Sequence, residues 1–143
     1  MIAELPTLVC NSLVALVDGR LTLLGGCCPD CGEYYFPQRS SCTRCCGGHI
    51  EPCNLGAKGK LWSWTTQAFL PKLPYDGGET AAIFKPYGVG YVEMPCGLKV
   101  ESRLSSADPA QLRIGMAMDL TLDPYRVTER GPVHTFAFRP IPS

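Results

Sequence analysis

Residues 27–46 contain six cysteines in two clusters, and this concentration constrains the fold more than any other feature. Each cluster holds a Cys-x-x-Cys knuckle, whose spacing lets the chain turn tightly enough for both thiolates to reach one ion. The four knuckle cysteines are Cys28, Cys31, Cys42 and Cys45. Together they supply the closed tetrahedral set of a structural zinc, with no position left open for catalysis. The spacing therefore predicts a structural Zn²⁺ in a zinc ribbon.

The segment between the knuckles is short. Its ten residues, GEYYFPQRSS, are fewer than the ~15–20 of the usual paired pattern. We expect a hairpin in which Tyr34, Tyr35 and Phe36 form a small core or contact a neighbouring element. Iron is the alternative metal, because four thiolates also bind iron and the first knuckle resembles that of rubredoxin. A colourless purified protein would exclude ferric iron.

The other five cysteines have no predicted ligand role. Cys27 and Cys46 flank the knuckles, and ligand pairs that used them would have a less regular Cys-x-x-x-Cys spacing. Cys10, Cys53 and Cys96 are isolated, and a small buried apolar role is the simplest expectation for each. The chain has nine cysteines, an odd count, and lacks the features of a signal peptide, which argues against a disulfide scaffold. We therefore expect a soluble, cytoplasmic protein.

The charge balance and the missing motifs exclude several function classes. Thirteen basic and thirteen acidic residues are spread evenly along the chain, which disfavours nucleic-acid binding because that binding depends on phosphate neutralisation. No apolar run approaches the ~20 residues that span a bilayer. The sequence has no GxxxxGK[ST] or GxSxG motif, and His49 and His134 have no diagnostic spacing to a cysteine. No catalytic constellation is predicted.

The N-terminal segment predicts a short amphipathic helix, because its apolar side chains recur with a period of 3.6 residues. These side chains are Leu5, Leu8, Val9, Leu13, Leu16 and Val17. Pro6 suits a first helical turn. The pair Asp18-Gly19 can end the helix before the strand-like segment RLTLL. We expect this helix and a lead-in strand within residues 1–26.

After the second knuckle the pattern changes to short strands. KGKLWSWTTQAF is rich in aromatic residues and threonine, whereas LKVESRL and MDLTL alternate between apolar and polar side chains. FLPKLPYDGGET predicts an exposed loop, and DPAQLRIG predicts one or two helical turns. Five short strands and one small helix suit a closed barrel of the OB type. We therefore predict a mostly β chain, with a zinc ribbon over residues 27–53 and an OB-like five-stranded barrel over residues 54–143.

The order of these parts resembles a known family. CPDCGEYYFPQRSSCTRC, GKLWSWT and GVGYVEMPCGLKVESRLSSADPAQLRIGMAMDLTL together resemble DUF35 proteins, a family described as a rubredoxin-like zinc ribbon followed by an OB-fold. The resemblance covers nearly the whole chain, and its more specific marks are Phe36-Pro37 and the DPAQLRIGM turn. The family's metal ligands match the four knuckle cysteines. The departure is Cys46, which stands where glycine usually follows the second knuckle.

The resemblance implies a function in which this chain carries no catalytic residue. Family members act as small partner subunits of thiolases or related acyl-CoA enzymes, whose large subunit holds the nucleophilic cysteine. For this chain it implies a non-catalytic subunit of a thiolase-type hetero-oligomer. The implied reaction is the CoA-dependent cleavage of benzoylsuccinyl-CoA to benzoyl-CoA and succinyl-CoA in anaerobic toluene degradation. Two alternatives are a single-stranded nucleic-acid-binding OB protein and an acyl-CoA enzyme that acts alone.

Candidate contacts for the implied complex are aromatic and basic. Aromatic side chains are favoured interface anchors, and the candidates for partner contacts are Trp62, Trp64, Phe69 and Tyr75. The candidates for contacts with CoA phosphates are Arg39, Lys58, Lys60 and Lys72. The simpler alternatives are that the tryptophans fill the barrel wall and that the basic side chains are solvated surface charges.

Overall fold

Within residues 5–141, which this computed structural model describes, the backbone forms nine β-strands and no helix. The strands are β1 (Val14–Val17), β2 (Arg20–Cys27), β3 (Tyr34–Tyr35), β4 (Glu51–Gly56), β5 (Lys58–Gln67), β6 (Tyr87–Glu93), β7 (Lys99–Leu104), β8 (Ala117–Thr128) and β9 (Gly131–Pro140). They divide into a small N-terminal sheet, β1 to β4, and a closed barrel, β5 to β9. In this described part no helix could cross a membrane.

The predicted N-terminal helix is wrong. Residues Val14–Val17 form β1, which pairs antiparallel with β2 from Val14↔Leu23 to Val17↔Arg20. The connection is the pair Asp18-Gly19, and both residues have positive φ, 52° and 74°. Asp-Gly between apolar segments is a strong signal for a two-residue hairpin, since both central positions of such a turn need positive φ. The hairpin therefore replaces the helix end that the same two residues also fit.

The segment before β1 is extended and attached to the barrel. Leu8 forms an isolated parallel bridge with His134 of β9. The Val9 amide donates to the His134 carbonyl at 2.9 Å, and the His134 amide donates to the Thr7 carbonyl at 2.8 Å. Of the apolar side chains that suggested a helical stripe, Leu5, Leu8 and Leu16 lie against the main core, whereas Val9 and Val17 are exposed.

The second predicted helical segment also differs from the structure. In DPAQLRIG the chain forms turns, in which the Asp108 carbonyl accepts from the amides of Gln111 at 2.9 Å and Leu112 at 3.2 Å. The Asp108 carboxylate accepts from the Ala110 amide at 2.9 Å. The predicted cap is therefore present, but the chain turns away at Gly115, whose φ is 89°. Leu112 is buried and holds this connection against the core.

The predicted five-stranded barrel is confirmed. Its strands close in the order β5-β6-β7-β9-β8, with β8 pairing back to β5. All neighbours are antiparallel except β7 and β9, which are parallel at Arg103↔Ala137 and Leu104↔Phe138. The interior is filled by buried side chains from all five strands, namely Leu61, Val92, Val100, Met118 and Phe138. Leu23 and Leu55 of the small sheet belong to the same buried cluster, so the sheet is packed on the barrel.

Candidate metal centre and its surroundings

The first knuckle is formed where β2 ends. Cys28 follows the strand directly, and its amide donates to the Glu33 carbonyl at 2.8 Å. The Gly32 amide donates to the Cys28 carbonyl at 2.9 Å, and Gly32 has a φ of 79°. Glycine adopts this conformation without strain because it lacks a Cβ atom. The turn returns the chain as β3, where Tyr34 pairs with Cys27.

The second knuckle repeats this geometry without a β-strand. The Cys42 amide donates to the Gly47 carbonyl at 2.9 Å. The amides of Arg44 and Cys45 point at the Cys42 sulfur, at 3.3 and 3.4 Å. Cys46, the residue after this knuckle, has a φ of 64°. It therefore takes the left-handed conformation that Gly32 takes in the first knuckle, although it carries a side chain.

The structure brings the four knuckle cysteines together. Their sulfur atoms all lie within 4.8 Å of one another. The Cys28–Cys45 and Cys31–Cys42 sulfur pairs are both 3.6 Å apart. Tetrahedral Zn–S bonds of about 2.3 Å place sulfurs about 3.8 Å apart, so the spacing suits a zinc ion. Cys28 and Cys42 are buried. All four candidate metal ligands are cysteine side chains of this chain, as in a closed structural site.

Neighbouring groups favour the deprotonated form of one of these thiols, that of Cys42. The Tyr35 hydroxyl lies 3.1 Å from the Cys42 sulfur. Hydrogen bonds from this hydroxyl and from the Cys45 and Arg44 amides lower the pKa of Cys42 to about 6. Because only the thiolate binds zinc, a lowered pKa means that less proton release is needed at neutral pH. Tyr35 itself is supported by Arg39, whose guanidinium carbon lies 5.1 Å from the ring centroid.

Gly47 closes one side of the site. A Cβ atom there would lie 2.9 Å from an Asp30 carboxylate oxygen, 3.4 Å from the Cys45 sulfur and 3.8 Å from the Cys28 sulfur. The backbone of this loop therefore lies close to the sulfurs, and a larger residue at position 47 would force a neighbouring group to shift. Together with the donor set and the sulfur spacing, this shell fits a structural Zn²⁺ held by Cys28, Cys31, Cys42 and Cys45.

The remaining cysteines lie outside this cluster. Cys27 is half-buried on β2, and Cys46 is exposed. Cys53 and Cys96 are half-buried against the main core, close to the apolar role expected for them. Cys10 is exposed, so the expectation of a buried position is wrong for this residue.

The two candidate tryptophans have different environments. The β5–β6 register runs from Leu61↔Val92 to Ser63↔Tyr91, so Trp62 has no residue opposite it. This is a β-bulge, which re-aims side chains along a strand. Trp62 is 51% exposed, whereas Trp64 packs against the core. Spacing alone places both on one face, and the bulge separates them.

The loop between β5 and β6, residues 68–86, forms a strap along the outside of the barrel. Asp76 attaches it to β8: the Arg126 guanidinium contacts the Asp76 carboxylate at 2.6 Å, and the Tyr125 hydroxyl donates to the same carboxylate at 3.0 Å. Phe69 is 74% exposed on the strap. Tyr75 is half-buried, and its hydroxyl donates to Glu79 at 2.6 Å. Of the four aromatic candidates, Trp62 and Phe69 are therefore the exposed ones.

The four basic candidates do not form one site. Lys58 and Lys60 are exposed at the start of β5 and line a cleft of about 500 Å³ with Met94 and Pro95. Arg39 stacks on Tyr35 in the ribbon. Lys72 is an exposed residue of the strap. Neither Arg39 nor Lys72 lines that cleft, so the structure groups only the two lysines of β5.

One feature of the surface was missed by sequence reasoning. The outer face of β6 carries Tyr87, Val89 and Tyr91, and Arg103 of β7 lies over the Tyr87 ring. The signal was the segment YGVGY: its glycines face inward, where a Cβ at Gly88 would lie 2.4 Å from a backbone oxygen. Alternation of glycine with large side chains therefore marks an outward-facing stripe, although it could not show that Tyr87 and Val89 line a cleft.

Fold and site define this protein as a four-cysteine zinc ribbon joined to an OB barrel. Residues 16–51 match the family described as the ChsH2 rubredoxin-like zinc ribbon domain, and residues 54–123 match the ChsH2 C-terminal OB-fold domain. Benzoylsuccinyl-CoA thiolase subunit BbsA of Thauera aromatica is 32% identical to this chain over 90% of it and 84% of the relative. The chain belongs to the DUF35 family.

Two further comparisons agree with this assignment. A DUF35 domain-containing scaffold protein of Pyrococcus furiosus is 31% identical, over 85% of each chain. A solved structure titled Ltp2-ChsH2(DUF35) aldolase aligns with a TM-score of 0.59, at 22% identity, over 83% of this chain and 84% of that one. At this identity the second comparison supports the fold alone.

Proposed function

We propose that this chain is a non-catalytic subunit of a thiolase-type acyl-CoA complex. The observation that carries the proposal is the exposed apolar surface of the strap and of the β8 position beside its attachment. Phe69, Leu73, Ile83 and Val127 are 74%, 87%, 63% and 81% exposed. Several exposed large apolar side chains on one loop and on the strand to which it is attached are typical of protein–protein contact sites. The similarity to a thiolase subunit and to scaffold proteins supports a catalytic subunit as the partner.

The strap is suited to presenting these side chains. Its contact with β8 includes an Arg126–Asp76 ion pair at 2.6 Å and the edge-to-face packing of Tyr75 on Tyr125, with ring centroids 5.5 Å apart. A loop that is already ordered loses less conformational freedom when a partner binds. We infer that Phe69 and Trp62 are anchors of the interface and that Tyr75 supports the strap from behind. Trp64 contributes through the barrel wall on which the strap begins.

The zinc ribbon and the barrel have separate tasks in this proposal. The metal holds the ribbon tip rigid, and the barrel carries the strap. The nucleophile and the acid/base groups of a thiolase would belong to the large subunit. The finer form of the proposal is the cleavage of benzoylsuccinyl-CoA by CoA to benzoyl-CoA and succinyl-CoA, supported by the 32% identity to a subunit of that thiolase. The high cysteine content suits the reducing cytoplasm.

A CoA contact is proposed for Lys58 and Lys60. They stand two residues apart on β5, beside an apolar cleft of about 500 Å³ that includes Met94. Two ammonium groups beside an apolar wall suit a phosphate-bearing chain such as the end of CoA. Neutralising Lys58 and Lys60 together should raise the KM for CoA of the complex, whereas neutralising Lys72, which lies outside this cleft, should not. An unchanged KM in the variant of Lys58 and Lys60 would remove these residues from the proposal.

The experiment is co-expression with a thiolase-type catalytic subunit from the same genome. We expect a zinc-containing complex that forms benzoyl-CoA and succinyl-CoA from benzoylsuccinyl-CoA only when both chains are present. Leu73→Glu should weaken the complex because it places a charge in the interface. Ile114→Glu is the matched control, since Ile114 is 64% exposed but lies outside the strap. A catalytic subunit that is fully active alone and forms no complex would contradict the proposal.

A second candidate function has one observation in its favour. Trp62 and Tyr91 form an exposed edge-to-face pair, with centroids 6.1 Å apart, and the Lys99 ammonium lies 5.0 Å from the Trp62 ring centroid. Aromatic side chains beside cations bind single-stranded nucleic acid on OB barrels. The zero formal charge opposes this function. Binding of a fluorescent oligonucleotide that weakens with salt would support it, and no binding at low salt would exclude it.

A further inference from the structure

A cleft of about 430 Å³ opens on the outside of the barrel, between the strap and the ribbon. Its walls come from the ribbon, the strap and four barrel strands, β6 to β9. The lining includes Phe36, Tyr75, Tyr87, Arg103, Tyr125 and Phe136. Concave sites with aromatic walls and few polar groups are the usual form of small-molecule sites.

The rings of this cleft are fixed in place. Tyr75 and Tyr125 pack edge-to-face at 5.5 Å, and Phe36 and Phe136 do the same at 5.4 Å. The Tyr75 hydroxyl is bound to Glu79 and the Tyr125 hydroxyl to Asp76, at 2.6 and 3.0 Å. Because both hydroxyls already have acceptors, the tyrosines offer mainly their rings to a ligand. The walls therefore suit a flat apolar group.

Arg103 supplies the positive charge in the cleft. Its guanidinium carbon lies 3.9 Å from the Tyr87 ring centroid, a stacked arrangement. Among residues 5–141, no carboxylate lies within ion-pair distance of Arg103 and its guanidinium makes no hydrogen bond to protein, in contrast to Arg126, which contacts Asp76. Stacking on Tyr87 fixes the plane of the Arg103 guanidinium and leaves the N–H groups at its edge available to a ligand. That edge is the fork that holds a carboxylate through two parallel hydrogen bonds.

We propose that this cleft binds a small arylcarboxylate, with the ring between the aromatic walls and the carboxylate on the Arg103 fork. One cation faces the cleft, and Glu101 also lines it. A single cation beside a carboxylate side chain favours a monoanion over a polyanion. The site lies on this chain alone, so the proposal does not depend on the thiolase complex.

The test uses the full zinc-loaded chain and three matched probes. 3-Phenylpropionate carries the ring and the carboxylate, 3-phenylpropanol the ring alone, and propionate the carboxylate alone. Calorimetry measures affinity, and amide chemical shifts locate the site. We expect saturable binding of 3-phenylpropionate with a Kd of about 1 mM or lower, as suits a ligand of this size. The affinity of each of the other two probes should be at least about tenfold lower, because 3-phenylpropanol lacks the carboxylate and propionate lacks the ring.

Variants separate the cleft from other surfaces. Arg103→Gln should weaken 3-phenylpropionate about tenfold, and Arg103→Lys should have an intermediate effect because it keeps the charge but loses the fork. Arg113→Gln is the control, an equal change at an exposed arginine elsewhere. Val89→Trp, which places a large side chain in the lining of the cleft, should abolish binding and tests the site even if Arg103→Gln does not fold. Equal binding of 3-phenylpropanol, no binding of the acid, or an unchanged affinity in Val89→Trp would overturn the proposal.

Discussion

The ribbon tip and the barrel are held together by different forces. At the tip, the fully or nearly fully buried side chains that cluster are Cys28, Cys42 and Ile50. The barrel instead encloses a continuous apolar cluster that includes Leu61, Val92 and Phe138, each 0% exposed. A group of three buried side chains is too small to hold a loop of this length, whereas a filled barrel is stable through burial alone. The metal therefore replaces a core in the ribbon.

The region stabilised by the barrel core and the region stabilised by zinc meet within the small sheet. Leu23 of β2 and Leu55 of β4 are buried in the barrel's cluster, so the base of the sheet shares the barrel's stability. Beyond them, Gly25 and Gly26 let neighbouring segments approach: a Cβ at either would lie within 2.6 Å of another residue. The dependence on zinc should therefore begin between these glycines and the first knuckle.

The largest effect should follow removal of a zinc ligand. In Cys42→Ser the zinc content should fall from one ion per chain to nearly none, because the closed four-thiolate set is broken. Apparent free energies of structural zinc binding are of order 10 kcal/mol, so the ribbon should lose its fold while the barrel remains. Metal analysis and circular dichroism would measure both. Cys46→Ser is the control, and loss of zinc in that variant instead would contradict the ligand assignment.

The complementary change removes one large side chain from the interior of the barrel. Phe138→Ala removes a ring that is 0% exposed and should lower the free energy of unfolding by about 3–5 kcal/mol. The folded fraction should still bind one zinc, since Phe138 belongs to the barrel's buried cluster and not to the cluster of the ribbon tip. Chemical denaturation followed by metal analysis tests this. Phe69→Ala, at a position 74% exposed, should change stability by no more than about 0.5 kcal/mol.

A smaller effect should measure the contact between the two regions. Phe36 of the ribbon packs edge-to-face on Phe136 of the barrel, with ring centroids 5.4 Å apart. A double-mutant cycle with Phe36→Leu and Phe136→Leu should give a coupling free energy of about 0.5–1.5 kcal/mol. A coupling near zero would mean that the regions are joined through β2 and β4 alone.

The smallest effect concerns the residue after the second knuckle. Cys46 has a φ of 64°, a conformation that disfavours residues with a Cβ atom. Cys46→Gly should stabilise the zinc-loaded chain by about 0.5 kcal/mol, because the relief of strain exceeds the added flexibility of the unfolded chain. Thermal unfolding with zinc present would show a small rise in Tm. A fall in Tm would indicate that the Cys46 side chain contributes a contact of its own.

The metal site was predictable because its signal is local. Two residues between cysteines determine the turn, and the positive φ at Gly32 follows from the same geometry. The barrel was predictable because period-two alternation reports one buried face, as in Lys99–Leu104. Both signals are contained in a few consecutive residues.

The errors arose where a local pattern had two solutions or where distant segments decide. Residues 5–17 fit a helical stripe, but Asp18-Gly19 also fits a hairpin, and pairing with β2 selects it. The bulge at Trp62 depends on the register with β6, which spacing within β5 cannot show. The cleft beside Arg103 combines the ribbon, the strap and four strands, so no single segment carries its signature.

The most direct test of the central claim is hydrogen exchange measured before and after zinc is removed by a chelator. The claim is that zinc holds the ribbon tip and that apolar burial holds the barrel. We predict that amides of residues 28–50 lose their protection without zinc, while those of β5 to β9 keep it. Loss of protection throughout the chain would contradict the claim, as would a ribbon that stays protected after the metal is gone.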